Sequence, residues 1–193
     1  MGPAKVKLHV VTNNAKKGEE AVKILESLGV EAELVLLEKK EIQSEKLEEI
    51  ALHSARTAYL TLRKPLVVDD SGLFIEDLNG FPGPYSSYVY KTIGVKGILK
   101  LMEGAPTRKA CFKTALAVII PPIEKVYVGE TCGTITTEPR GTGGFGFDPI
   151  FVPEGEIRTY AEMSTEEKNK VSHRAKAYKL MVEDLRKTWR GIL

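Results

Sequence analysis

LVVDDSGL, residues 66–73, opens on three apolar residues and then turns abruptly acidic. A continuous run of Leu66, Val67 and Val68, with no polar alternation, reads as a strand buried on both faces, the kind found in parallel sheets covered by helices. Asp69 and Asp70 then fall at its carboxyl end, the edge at which open α/β sheets bind ligands. On the amino-terminal side, strand-like and helical stretches alternate. Residues 6–12 read as a β-branched strand that stops at Asn13 and Asn14, a pair suited to capping a helix. Ala21, Ile24, Leu25 and Leu28 then recur at helical spacing until Gly29, a natural stop. Residues 30–37 predict a second strand. Residues 45–62 predict an amphipathic helix with Leu47, Ile50, Ala51, Ser54, Ala55, Ala58 and Leu62 on one face, ended by Lys64 and Pro65.

On the carboxyl side, the Gly- and Pro-punctuated loop NGFPGPYSSY leads into a helical stretch up to Met102. Two β-rich runs, residues 110–120 and 125–137, are joined by PPIE and predict a hairpin. A glycine-rich loop over residues 139–146, a short strand over 149–152 and a closing helix over 172–189 complete the order. That helix presents Ala175, Tyr178, Val182, Leu185 and Trp189 as its apolar face. Mixing βαβ units with a hairpin implies an α/β fold with a mixed sheet and flanking helices. With no repeat, low-complexity tract or linker, residues 1–193 read as a single domain of two lobes.

The chain has 193 residues, 42% of them hydrophobic and 28% charged, enough to build a core without disulfides. No apolar run approaches the roughly 20 residues that cross a bilayer, and no export signal opens the chain. A cytoplasmic protein without a membrane partner is expected, and with it reduced thiols at Cys111 and Cys132. A net charge of +2 is too small to suggest a nucleic-acid partner.

Four constellations could carry chemistry. TNNAKK, residues 12–17, ends a strand and begins a helix, where backbone N–H groups and the helix dipole favour a phosphate and Lys17 adds charge; the same residues also make a plain cap with solvated lysines. DDSGL, residues 69–73, puts two carboxylates side by side, which costs free energy in a part-buried place unless a cation is bound. Mg²⁺, which takes oxygen ligands and substrate phosphates, meets that need. A turn built on Asp70, Ser71 and Gly72 is the alternative. GTGGFGFDP, residues 141–149, satisfies GxGxxG literally, yet no helix opens after it, so a dinucleotide site is not expected. It offers aromatic Phe145 for stacking a base and Asp148 for bonding one, or else is a mobile hairpin end. EEKNKVSHR, residues 166–174, places His173 and Arg174 in the first turn of the last helix beside Lys168. Cations there oppose the dipole unless an anion or carbonyl is bound nearby, the alternative being a solvated charge run.

Taken in order, TNNAKK, DDSGLFIEDLNGFPGPYS, GTGGFGFDPIF and EEKNKVSHR resemble the inosine triphosphate pyrophosphatase family over nearly the whole chain. The resemblance implies a Mg²⁺-dependent homodimer that hydrolyses ITP, dITP or XTP to the monophosphate and pyrophosphate in a cleft between two lobes. It implies that Asp70 is the general base and a metal ligand, that Glu41 is the other metal-binding acid, and that Asp69 is a supporting one. Thr12, Asn13, Asn14, Lys17 and Ser71 resemble the triphosphate contacts. Phe145, with Gly146 and Phe147 beside it, resembles the platform for the base, and Asp148, Lys168, His173 and Arg174 surround the base edge. Where several members carry a lysine in the second helix, this chain has Ser54. Two rival readings are a Maf-like nucleotide pyrophosphatase and a phospho-receiver signalling domain, the latter disfavoured because its acid pair follows the first strand.

Overall fold

The structure is a computed structural model that describes residues 6–38, 41–189 and 191–193. Residues 1–5, where no export signal is read, lie outside the described set. In chain order the elements are β1 (Leu8–Thr12), α1 (Ala15–Ser27), β2 (Ala32–Leu36), α2 (Leu47–Leu62), β3 (Leu66–Ile75), β4 (Pro82–Gly83), α3 (Ser86–Thr92), α4 (Gly94–Leu101), β5 (Lys109–Ile120), β6 (Ile123–Ile135), β7 (Phe151–Pro153), α5 (Thr165–Val171) and α6 (His173–Thr188). The strands form a mixed sheet in the order β2-β1-β3-β5-β6-β7, with β4 paired to β3. β1 runs parallel to β2 and β3, while β3–β4 and β6–β7 are antiparallel.

The chain divides into two compact units, the first made of residues up to 70, 114–129 and 174 onward, the second of residues 71–113 and 130–173. Each unit is discontinuous in sequence, which is why no linker is visible. In the first, Asn14 caps α1 by accepting from the Lys17 backbone N–H at 3.2 Å. Gly18 has no room for a Cβ, which would meet the side chains of Leu34 and Thr12, so α1 lies close on β1 and β2. Tyr178, Val182 and Leu185 of α6 are buried among Leu8, Val10, Val67 and Leu116, with Ala175 and Trp189 at the margin. The expected apolar face of the last helix is therefore the one used. A separate core fills the second unit, built from Leu73, Ile75, Ile98, Phe112, Phe151 and Tyr160.

Three expectations are corrected. First, the strand begun at Leu66 does not stop at the acids but runs to Ile75. What ends there is the parallel ladder, whose last partners are Val11 and Val68, before β4 takes over at Leu73. Asp69 and Asp70 are thus mid-strand, and Gly72 is not a turn residue. A Cβ on Gly72 would sit 2.2 Å from the Gly83 carbonyl oxygen, so glycine is required by close backbone approach. Second, Cys111 and Cys132 are bonded, with Cα atoms 3.9 Å apart. The two-residue turn at Pro121 and Pro122 sets Ile120 against Ile123, and counting back along both strands sets residue 111 against residue 132. The expectation of reduced thiols is therefore not met. Third, residues 165–171, for which no element was expected, form a helix. Ser164 accepts from the Glu167 N–H at 3.1 Å, and the Glu167 carboxylate accepts from the Ser164 N–H at 2.8 Å, a capping box that the spacing S-x-x-E encodes.

Gly72→Ala is expected to destabilise the fold by about 1–3 kcal/mol, since the facing atom is backbone and cannot step aside as a side chain would. Urea denaturation checks this; an unchanged midpoint would show that the β3–β4 approach is slack.

Candidate active site

The first unit brings together the end of β1, the start of α1, β3 and the start of α6. Thr12 is buried, and its hydroxyl oxygen accepts from the Asn14 N–H at 3.1 Å, while Asn13 and Asn14 are exposed. Lys17 reaches across to β3. Its ammonium donates to the Asp69 carbonyl at 3.0 Å and pairs with Asp69 Oδ1. Arg174, 1% exposed, donates from Nε to Asp69 Oδ2 at 2.7 Å and from a terminal nitrogen to Glu20 Oε2 at 2.9 Å. Two cations and two carboxylates therefore close a buried cluster. Burial alone would raise the Asp69 carboxyl, but the charges of Lys17 and Arg174 outweigh it and hold Asp69 well below the ordinary carboxylate range. Burial likewise opposes the charge on Arg174, and Asp69 and Glu20 reverse that effect.

This cluster changes the part played by the adjacent acids. Successive residues of a strand point to opposite sheet faces, so Asp69 and Asp70, neighbours in sequence, present their side chains to opposite faces of β3. The repulsion that argued for a metal is answered at Asp69 by the protein's own lysine and arginine. Asp70 is buried as well, at 8% exposure. Glu41 is exposed on the connection between β2 and α2, beside residues 39 and 40, which lie outside the described set. Among the described residues, Glu41, Asp69 and Asp70 are not gathered within 4.8 Å as a group of three ligands. Asp69 anchors two cations. Asp70 and Glu41 also carry carboxylates, the hard oxygen donors that suit a small divalent cation.

The second unit holds the other candidates. Asp148 and Lys168 are both buried and paired, the ammonium 2.7 Å from Asp148 Oδ2. The same oxygen accepts from the Phe145 N–H at 3.0 Å. Gly144 makes this possible: its φ is +67°, and a Cβ there would lie 2.1 Å from Asp148 Oδ2. The Lys168 ammonium also lies 4.6 Å from the Phe145 ring centroid and 5.3 Å from that of Tyr160. His173 is buried and stacked on Phe112, centroids 4.8 Å apart and planes 13° from parallel. Phe145 and Gly146 are half-buried. Phe147, expected beside them, is instead in the core with its ring edge-on to Tyr90. Ser71 is half-buried at the head of this unit.

Within the first unit, two nitrogens of Arg174 bond Asp69 and Glu20. Glu20 went unnoticed in the sequence. It sits on α1 one position before Ala21 and four before Ile24, so its place next to the helix's apolar stripe was the available signal. Tyr160, buried between Phe112, Phe151 and His173, was also missed.

Residues 8–184 match the model of the Ham1 family. A dITP/XTP pyrophosphatase of Saccharolobus solfataricus is 53% identical over 180 residues, 93% of this chain and 94% of that protein. One of Thermococcus kodakarensis is 52% identical over 172 residues, covering 89% and 93%. Among solved structures, a HAM1 protein from Coxiella burnetii aligns with a TM-score of 0.81 at 29% identity, over 95% of this chain and 100% of that one. A nucleoside-triphosphatase / dITP/XTP pyrophosphatase from Mycobacterium abscessus gives 0.70 at 36% identity, over 93% and 100%.

Removing the Asp69 charge leaves Lys17 and Arg174 buried with one acid fewer, so Asp69→Asn is expected to cost about 3–5 kcal/mol in urea denaturation. Because the folded chain holds Asp69 ionised below the unfolded value of about 3.9, its contribution is complete above about pH 5 and is lost progressively as pH falls below about 4 towards the depressed folded value. The variant's stability should therefore depend less on pH below 4 than the parent's. Parallel acid titrations would refute the anchoring role.

Proposed function

The chain belongs to the Ham1 family, and on that premise we propose that it hydrolyses ITP, dITP and XTP to the monophosphate and pyrophosphate, clearing non-standard purines from the nucleotide pool. The observation that carries this is the match to dITP/XTP pyrophosphatases about half identical over roughly nine-tenths of the chain. Neither the Maf-like nor the phospho-receiver reading is favoured beside it.

Roles follow from the chemistry of each constellation. Asp70, buried on β3, accepts the proton of the water that attacks the α-phosphorus; the bond from that phosphorus to the bridging oxygen breaks, and pyrophosphate leaves. Thr12, Asn13, Asn14, Lys17 and Ser71 hold the triphosphate, with the start of α1 supplying N–H donors. Asp70 and Glu41 are the residues that would hold Mg²⁺, which when bound neutralises charge on the phosphate oxygens. Asp69 has its place here by fixing Lys17 and the backbone of β3.

Phe145 stacks the base, and Lys168 and His173 donate to the 6-oxo group, with Asp148 holding Lys168. Adenine, with an amino group at that position, would leave those buried donors unpaired, which discriminates strongly. Guanine shares the 6-oxo group, so its rejection falls to position 2, where it carries an amino group that hypoxanthine and xanthine lack. The family resemblance further supports a homodimer in the cytoplasm.

Pyrophosphate release in the presence of Mg²⁺ is expected to favour ITP and XTP over ATP by on the order of 10⁴ in kcat/KM, with GTP also poor. Equal rates on all four nucleotides would sink the selectivity argument. Asp70→Asn is expected to lower kcat by about 10²–10⁴ while ITP still binds, the loss typical of a missing general base. A variant retaining most of its turnover would remove Asp70 from that role.

A further inference from the structure

Cys111 and Cys132 lie outside every residue assigned to the nucleotide, on adjacent strands of the second unit. Beside them is Glu130, two residues before Cys132 and so on the same face of β6. One ligand atom from each of the three lies within 4.8 Å of the others, the single such group among the described residues. Glu130 Oε1 stands 3.3 Å from Cys132 Sγ. In the bonded cystine no proton is available to lie between them, so two lone-pair donors face each other. Glu130 Oε2 is 2.9 Å from the Lys113 ammonium, a cation already drawn to this spot. Both cysteines line a cavity of about 600 Å³, together with Phe74, Lys113, Gly133 and Pro153, so an ion held there has room for a further ligand.

We propose that, with the bridge reduced, Cys111, Cys132 and Glu130 form a Zn²⁺ site, exclusive of the disulfide. A thiol reductant supplies two electrons and two protons, breaking the S–S bond and leaving two thiols while the reductant becomes its own disulfide. Zn²⁺ then displaces both thiol protons to solvent and takes two thiolates and one carboxylate, leaving its fourth position toward the cavity. Two thiolates select a borderline-soft ion such as Zn²⁺ over Mg²⁺. The cross-strand register holds both sulfurs on one face whichever state they are in, so little backbone movement separates the two forms. The second unit would then have two exclusive staples across β5 and β6, one covalent and one metallic.

The test uses the full chain, oxidised or reduced with a phosphine and freed of metal, titrated with ZnCl₂ against a chromophoric chelator. The reduced chain is expected to take up one equivalent more than the oxidised chain. Co²⁺ in place of Zn²⁺ should give thiolate-to-metal charge-transfer absorption in the reduced chain alone. Cys132→Ser should lose both signals, as should reduced chain alkylated before titration, which guards against a variant that folds badly. Glu130→Gln should keep the thiolate band and weaken affinity by about 10-fold or more. Equal uptake by oxidised and reduced chains, or uptake that survives alkylation, would overturn the proposal. So would a bridge that the reductant cannot open in the folded chain.

Discussion

The first unit is organised around one buried carboxylate. Asp69 accepts Lys17 of α1 on one oxygen and Arg174 of α6 on the other, and Glu20 completes the charge balance. Arg174 is among the largest fully buried side chains, and a guanidinium can be buried only where carboxylates meet it. Two helices distant in sequence are thereby tied to the middle strand of the sheet. The bond from Lys17 to the Asp69 carbonyl fixes the backbone as well as the side chain. Since a strand alternates its faces, holding Asp69 also sets the direction in which Asp70 points. The ion pair thereby fixes the strand on which Asp70 lies.

The second unit solves a smaller version of the same problem. Lys168 is buried against the Asp148 carboxylate, with its ammonium also near the faces of Phe145 and Tyr160. Aromatic faces are mildly attractive to cations and add to that pairing. Arg174, by contrast, meets two carboxylates, Asp69 and Glu20.

Much of this was legible in the chain. The apolar periods of α1, α2 and α6 and the run at Leu66 placed the main elements, because burial on one face leaves a regular mark. The capping box at Ser164 was equally legible, but no helix was read there. The Cys111–Cys132 contact was implicit in the two-residue turn, since hairpin register is arithmetic once the turn is known. The anchoring of Asp69 was not legible, because its two cations come from α1 and α6, far from it in sequence. Arg174 and Glu20 are 154 positions apart, and no local pattern encodes their meeting.

The ion-pair cluster also bears on where the charge for a triphosphate comes from. Lys17 and Arg174 carry two positive charges, and Asp69 and Glu20 cancel them, so the cluster as a whole presents no net charge to an anion. In the second helix Ser54 is buried, with no partner for its hydroxyl among the described residues. A triphosphate brings several negative charges, and the helix start at Asn14 offsets only about half of one. Hydrolysis of its anhydride requires more positive charge than that, delivered close to the phosphate oxygens. A divalent cation arriving with the nucleotide supplies it without adding a permanent buried charge to the empty protein, where it would have to be balanced by yet another acid.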